Sequence, residues 1–96
     1  KLEGKQGGER FMITKKITIE IPTGLEARPV ALLVQVASQY ESTIYVESDS
    51  KKVNAKSIMG MMTLGLISGE EITVIANGSD EEKAVEDIEK YLSNVN

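Results

Sequence analysis

From Met12 onward the spacing of apolar residues keeps changing period, and no segment is apolar on every side. Ile13, Ile17, Ile19 and Ile21 share one parity and are interleaved with Thr14, Lys16, Thr18 and Glu20, the pattern of a half-buried strand. Pro22, Thr23 and Gly24 break it. Glu26 to Tyr40 then takes helical spacing, with Val30, Leu33, Val34, Ala37 and Tyr40 on one stripe and Pro29 in the first turn, where no intrahelical N–H bond is needed. Ile44 and Val46 alternate with Tyr45 and Glu47, Ser48-Asp49-Ser50 supplies a turn, and Lys51 to Asn54 returns as a short strand.

Ser57 to Leu64 is a methionine-rich apolar stretch ended by Gly65, and reads as a brief helix with Ser57 as its N-cap. Ile72, Val74 and Ala76 alternate with Thr73 and Ile75 in a last strand, closed by Asn77-Gly78. Ser79 and Glu82 have the spacing of a capping box, and Ala84, Ile88, Tyr91, Leu92 and Val95 form the stripe of a terminal helix. The order is βαββαβα. Each helix must bury its stripe, and one face of one sheet suffices for all of them. The expected fold is therefore α+β: an open-faced β-sandwich, with a four-stranded antiparallel sheet covered on one face by three helices.

With 96 residues the chain holds one core. Residues 1–11 are almost devoid of apolar side chains and read as a flexible leader, with Met12 as the native start and residues 12–96 as the domain. Hydrophobic residues make up 41% and charged ones 27%, an ordinary globular balance. There is neither cysteine nor histidine, which removes disulfides, thiol nucleophiles, Cys/His metal sites and imidazole-based triads. No metal and no cofactor is expected. The leader holds two acids and three bases, so the domain carries 13 acids against 8 bases. Such a surface is a poor partner for nucleic acid, whose binding needs cations to replace counterions. No apolar run approaches the roughly 20 residues that cross a bilayer, and no secretion signal precedes the first strand, so the chain reads as cytoplasmic.

Two segments could carry chemistry. Gly24-Leu25-Glu26-Ala27-Arg28-Pro29 delivers Glu26 to a helix start beside a guanidinium, a place that attracts anions. The same residues also serve if Glu26 and Arg28 only cap and solvate the helix. In Asn54-Ala55-Lys56-Ser57-Ile58-Met59-Gly60-Met61-Met62 a serine opens a helix followed by large, soft side chains. A structural N-cap accounts for the serine, and core filling is the commoner use of methionine. Yet so short a helix packs one face, such as Ile58, Met61 and Leu64 or an adjacent register, which leaves Met59 or Met62 accessible to a protein partner.

These two segments, at this separation and in this element order, resemble the HPr family of the bacterial phosphoenolpyruvate:sugar phosphotransferase system. The second match runs from Lys52 to Gly65 and is long and specific. HPr carries phosphate on a histidine in G-[IL]-H-A-R-P, and Glu26 stands in that position here. A carboxylate could form only an acyl phosphate, and its charge repels the incoming phosphoryl group, so phosphotransfer through Glu26 is not expected. A chain with the serine motif but without the histidine resembles the Crh branch of the family, the catabolite-repression HPr-like proteins, which usually have glutamine there.

The resemblance implies a non-enzymatic regulatory protein. Ser57 matches the serine phosphorylated with ATP by HPr kinase/phosphorylase, after which the phosphoprotein acts as corepressor of the LacI-type regulator CcpA. The implied partner-binding face joins Arg28, Ala31, Leu32 and Gln35 to Lys56, Ile58, Met59 and Met62. Leu32 lies off the stripe of the first helix, which independently predicts its exposure. The alternative is a phosphocarrier HPr that lacks its histidine. A first strand joined through Pro22 leaves strand exchange between protomers, and hence a homo-oligomer, open.

Overall fold

A computed structural model describes residues 12–22, 24 and 26–93. The leader, Thr23, Leu25 and Val95 of the terminal stripe lie outside the described residues. The elements are β1 (Ile13–Thr18), α1 (Ala27–Ser38), β2 (Thr43–Ser48), β3 (Lys51–Asn54), α2 (Ile58–Met62), β4 (Glu71–Asn77) and α3 (Glu81–Ser93). The sheet is antiparallel with strand order β1-β4-β2-β3.

Register sorts the side chains into two faces. Ile17 stands opposite Ile72, Ile44 opposite Ala76, and Val46 between Val74 and Val53, so one parity meets the helices. These strand residues, apart from Val53, which packs against it from partial burial, form a single buried core with Val30, Leu33, Val34 and Ala37 of α1, Met61 of α2, and Ala84, Val85, Ile88 and Leu92 of α3. The other parity, with Thr14, Lys16, Tyr45, Glu47, Thr73 and Ile75, forms the uncovered face. The expected open-faced α+β architecture is the one found.

Boundaries differ where tertiary hydrogen bonds intervene. β1 ends at Thr18 rather than running through Ile21, because the Ile19 N–H turns to the Glu70 carbonyl (2.8 Å) and the Glu20 N–H to the Leu92 carbonyl (2.8 Å). Ile19 nevertheless stays in the core. α1 stops at Ser38, and Gln39 and Tyr40 close it with tightened bonds to Val36 and Ala37, both 3.2 Å. The β2–β3 hairpin turns on Asp49 and Ser50, at φ 48° and 66°, as a two-residue loop matched to strand twist requires.

The expected Ser79–Glu82 capping box is not the one formed. Instead Glu81 folds back, and its Oε1 accepts the Gly78 N–H at 2.9 Å. The return bond lies one residue earlier than expected although α3 begins only at Glu81, and the Asp80 carboxylate bonds to the start of β2 instead. In α2 only Met61 is fully buried. Leu64 packs against the core from partial burial, and Ile58 is exposed rather than sharing that buried face.

Candidate functional site

The site around Ser57 begins where β3 ends. Ala55, fully buried, donates its N–H to Ile44 at 2.8 Å and anchors the turn on the core. Asn54 shapes that turn: its Oδ1 accepts the Lys56 N–H at 2.7 Å and its carbonyl accepts the Ser57 N–H at 3.0 Å. Ser57 then sits in extended conformation as the N-cap of α2, and its Oγ accepts the Gly60 N–H at 3.0 Å. The residue is half-buried.

Gly60 occupies the middle of a five-residue helix, where alanine would be favoured by about 1 kcal/mol on propensity alone. A Cβ there would lie 3.3 Å from Ser57 Oγ and 3.5 Å from both Ser57 Cβ and Val53 Cβ. The glycine thus lets the helix backbone pack closely against Ser57 and Val53. At the other end, the Gly60 carbonyl accepts from both the Thr63 N–H (3.1 Å) and the Thr63 hydroxyl (2.6 Å). Lys51 reaches from β3 to the Thr63 carbonyl at 3.4 Å.

Glu26 is the N-cap residue of α1. Its carbonyl accepts the Val30 N–H at 2.9 Å, but its carboxylate makes no capping bond and the residue is exposed. The local alternative of a carboxylate that caps its own helix is therefore not realised. The turn before it depends on Gly24, which adopts φ +72° and is buried against the loop after α2. A Cβ on Gly24 would come within 2.8 Å of Ile67 Cα and of the Leu66 carbonyl oxygen. On the far side, the Tyr91 hydroxyl donates to the Pro29 carbonyl at 3.0 Å and ties the first turn of α1 to α3. Burial pushes the Tyr91 phenol above its ordinary pKa.

Arg28, Ala31, Leu32 and Gln35 follow helical spacing along one side of α1, away from its buried stripe, and all are exposed. α1 also packs against α2, the helix that bears Ile58, Met59 and Met62, all three exposed. Met59 is 80% exposed, whereas Met61 two residues on is 0% exposed. Ile67, in the loop packed on Gly24, is a further exposed apolar side chain that the sequence reading did not single out.

Lys56 behaves differently from the rest. Its Nζ donates to the Tyr40 carbonyl at 2.6 Å from a half-buried position. The last turn of α1 has no basic residue of its own, so Lys56 supplies the missing cation at the negative end of that helix. Sequence spacing could not reveal this contact, because it joins residues 16 positions apart. Gly60, by contrast, carried a readable signal: a glycine inside a helical stretch.

A family model described as the PTS HPr component phosphorylation site matches residues 13–94. The chain belongs to the HPr family. It is 48% identical over 81 residues to the HPr-like protein Crh of Bacillus subtilis, covering 84% of this chain and 95% of that one. The crystal structure of a phosphocarrier protein HPr from Bacillus anthracis superposes with TM-score 0.84 at 44% identity, covering 85% of this chain and 98% of the other. The crystal structure of Bacillus subtilis Crh, the catabolite repression protein, has TM-score 0.68 at 48% identity over 83% of this chain and 92% of that one, and is described as a swapped, intertwined dimer. Among the described residues no helix is long and apolar enough to cross a membrane, and no acidic group has the composition of a metal site.

Proposed function

We propose that this HPr family member is a regulatory protein of carbon catabolite repression, phosphorylated on Ser57 by HPr kinase/phosphorylase and then acting as corepressor of CcpA. The observation that carries the reading is Ser57 as a half-buried N-cap residue of α2, in a chain that has Glu26 in G-L-E-A-R-P. Likeness to Crh supports it. Phosphorylation adds about −1.5 to −2 charges where α2 begins, so a new anion is presented without breaking the fold. That dianion can pair with cationic side chains of the regulator, while Met59, Met62 and Ile58 supply apolar contact. The chain touches no DNA itself in this scheme.

The direct test is incubation with HPr kinase and ATP followed by intact mass measurement. One added phosphate, lost in Ser57→Ala, is expected; no added mass, or a gain that survives the substitution, overturns the assignment.

A phosphocarrier is the second reading, supported by the likeness to the Bacillus anthracis phosphocarrier HPr at 44% identity. With enzyme I and phosphoenolpyruvate the chain should take no label, and Glu26→His should restore it if the carrier machinery is otherwise intact. Dimerisation by exchange of β1 is proposed from the Crh dimer and from the position of β1 at a sheet edge after which Pro22 breaks the strand pattern. Light scattering over a concentration series tests it: a mass that stays monomeric throughout removes it.

A further inference from the structure

We infer that Asn77 is a latent deamidation site, held closed by the Glu81 carboxylate and opened when the corner between β4 and α3 loosens. Asparagine is a thermolabile residue, and Asn77-Gly78 is the one Asn-Gly step in the chain. A following glycine has no Cβ to hinder attack by its own amide nitrogen. In the reaction the Gly78 amide gives up its proton and its nitrogen attacks Asn77 Cγ; the N–Cγ bond forms, the Cγ–Nδ2 bond breaks, and Nδ2 leaves as ammonia with a proton. Water then opens the succinimide ring. Addition at Cγ leaves aspartate, whereas addition at the Asn77 main-chain carbonyl carbon leaves isoaspartate, with the chain rerouted through Cγ. Water is consumed and ammonia released, with no other reactant.

The two reacting groups are held very differently. Asn77 Oδ1 is buried and meets no hydrogen-bond partner among the described residues, so the side-chain amide is desolvated without being tied at its oxygen. The attacking nitrogen is engaged: the Gly78 N–H donates to Glu81 Oε1 at 2.9 Å, and Glu81 is itself buried. A carboxylate that accepts this N–H keeps its proton in place, and its negative charge opposes the amide anion that attacks. Glu81 thereby does more than cap α3. The same corner makes the product costly. A Cβ on Gly78 would come within 2.6 Å of both Ser42 Cα and Ser42 Oγ, so the backbone has no room for the extra carbon that isoaspartate inserts. Deamidation also adds a negative charge to a corner that already holds Glu81 and Asp80, whose Oδ1 accepts the Ser42 N–H at 3.0 Å.

The test ages the full chain at mildly alkaline pH and follows Asn77 by peptide mass spectrometry, with Asn54, which precedes Ala55 on another strand, as an internal clock. Glu81→Ala should deamidate at Asn77 about tenfold faster than the native chain, the factor expected from losing a charge-assisted hydrogen bond, while Asn54 keeps its rate. Glu81→Gln, which retains an acceptor oxygen, should fall between the two. An Asn77 rate equal to the native one in a folded Glu81→Ala chain overturns the inference, and so does an acceleration that Asn54 shares. Two measurements need no variant: the Gly78 amide of the folded native chain should exchange slowly with deuterium, and urea should speed Asn77 deamidation as that amide opens. Fast exchange in the folded chain, or an Asn77 rate that urea leaves unchanged, overturns the inference even if Glu81→Ala does not fold.

Discussion

Asp80 holds Ser42 by two bonds at one oxygen: Oδ1 accepts the Ser42 N–H at 3.0 Å and the Ser42 hydroxyl at 2.5 Å, while Oδ2 accepts the Glu41 N–H at 2.9 Å. The clamp joins the start of β2 to the start of α3, where Gly78 leaves no room for a side chain against Ser42. The Ser42 hydroxyl, followed by the Glu41 N–H, holds the Asp80 carboxyl below its ordinary value of 3.8.

The clamp makes stability acid-sensitive. A carboxyl whose folded pKa is depressed stabilises the fold above its unfolded pKa, and that contribution is lost as pH falls through the lower folded value. Thermal melts should therefore decline on acidification below about pH 4, and the decline should be shallower in Asp80→Asn. Ser42→Ala removes the hydroxyl bond and should cost about 1 kcal/mol in urea unfolding at neutral pH. An unchanged acid limb in Asp80→Asn would contradict the assignment.

Gly24 sets up a sharper loss. Alanine there must take a left-handed conformation, which costs roughly 1–3 kcal/mol, and must also displace the Leu66–Ile67 backbone that stands 2.8 Å from its Cβ. Gly24→Ala should lower unfolding free energy by about 3 kcal/mol in urea titration. A loss under about 1 kcal/mol would show that the two loops part easily and do not fix the turn before Glu26.

What local rules govern was legible in the residues themselves. The Ser57 cap needs only a serine before an apolar run, and the period changes from Ile13 to Leu92 suffice for a one-sided sheet, because burial of each apolar face is decided element by element. Contacts between distant segments were not. The Asp80 clamp spans 38 positions and the tie from Lys56 to Tyr40 spans 16, and each involves polar side chains that look solvated in sequence. The displaced cap on α3 has the same origin: a residue that could have capped its own helix is engaged elsewhere, and Glu81 takes the return bond. Gly24 and Gly60 were visible as motif members, but their reasons, a close approach to the Leu66–Ile67 backbone and to the Ser57 side chain, exist only in three dimensions.

Lys56 is expected to act first on the fold. Lys56→Gln keeps much of the stem but removes the cation from the end of α1, and should cost about 1 kcal/mol. The loss should shrink little in salt, because the group is half-buried rather than solvated. Stability equal to that of the native chain in urea titration would return Lys56 to the docking face as a free surface charge.

Two neighbouring methionines separate docking from folding. Met61 is enclosed by the core, so Met61→Ala should cost roughly 2–5 kcal/mol through lost contacts and the cavity left behind. Met59, four-fifths exposed, has little to lose on folding: Met59→Ala should change stability by no more than about 0.5 kcal/mol. Its cost should appear in binding. If the apolar row around Ser57 seats on the regulator, titration of phosphorylated Met59→Ala into CcpA should weaken affinity about tenfold, or about 1.4 kcal/mol, while native affinity also falls with added salt as the phosphate is screened. A variant that binds as the native protein does would exclude Met59 from the interface. A variant that unfolds would instead place Met59 in the core, against the packing that buries Met61 alone in α2.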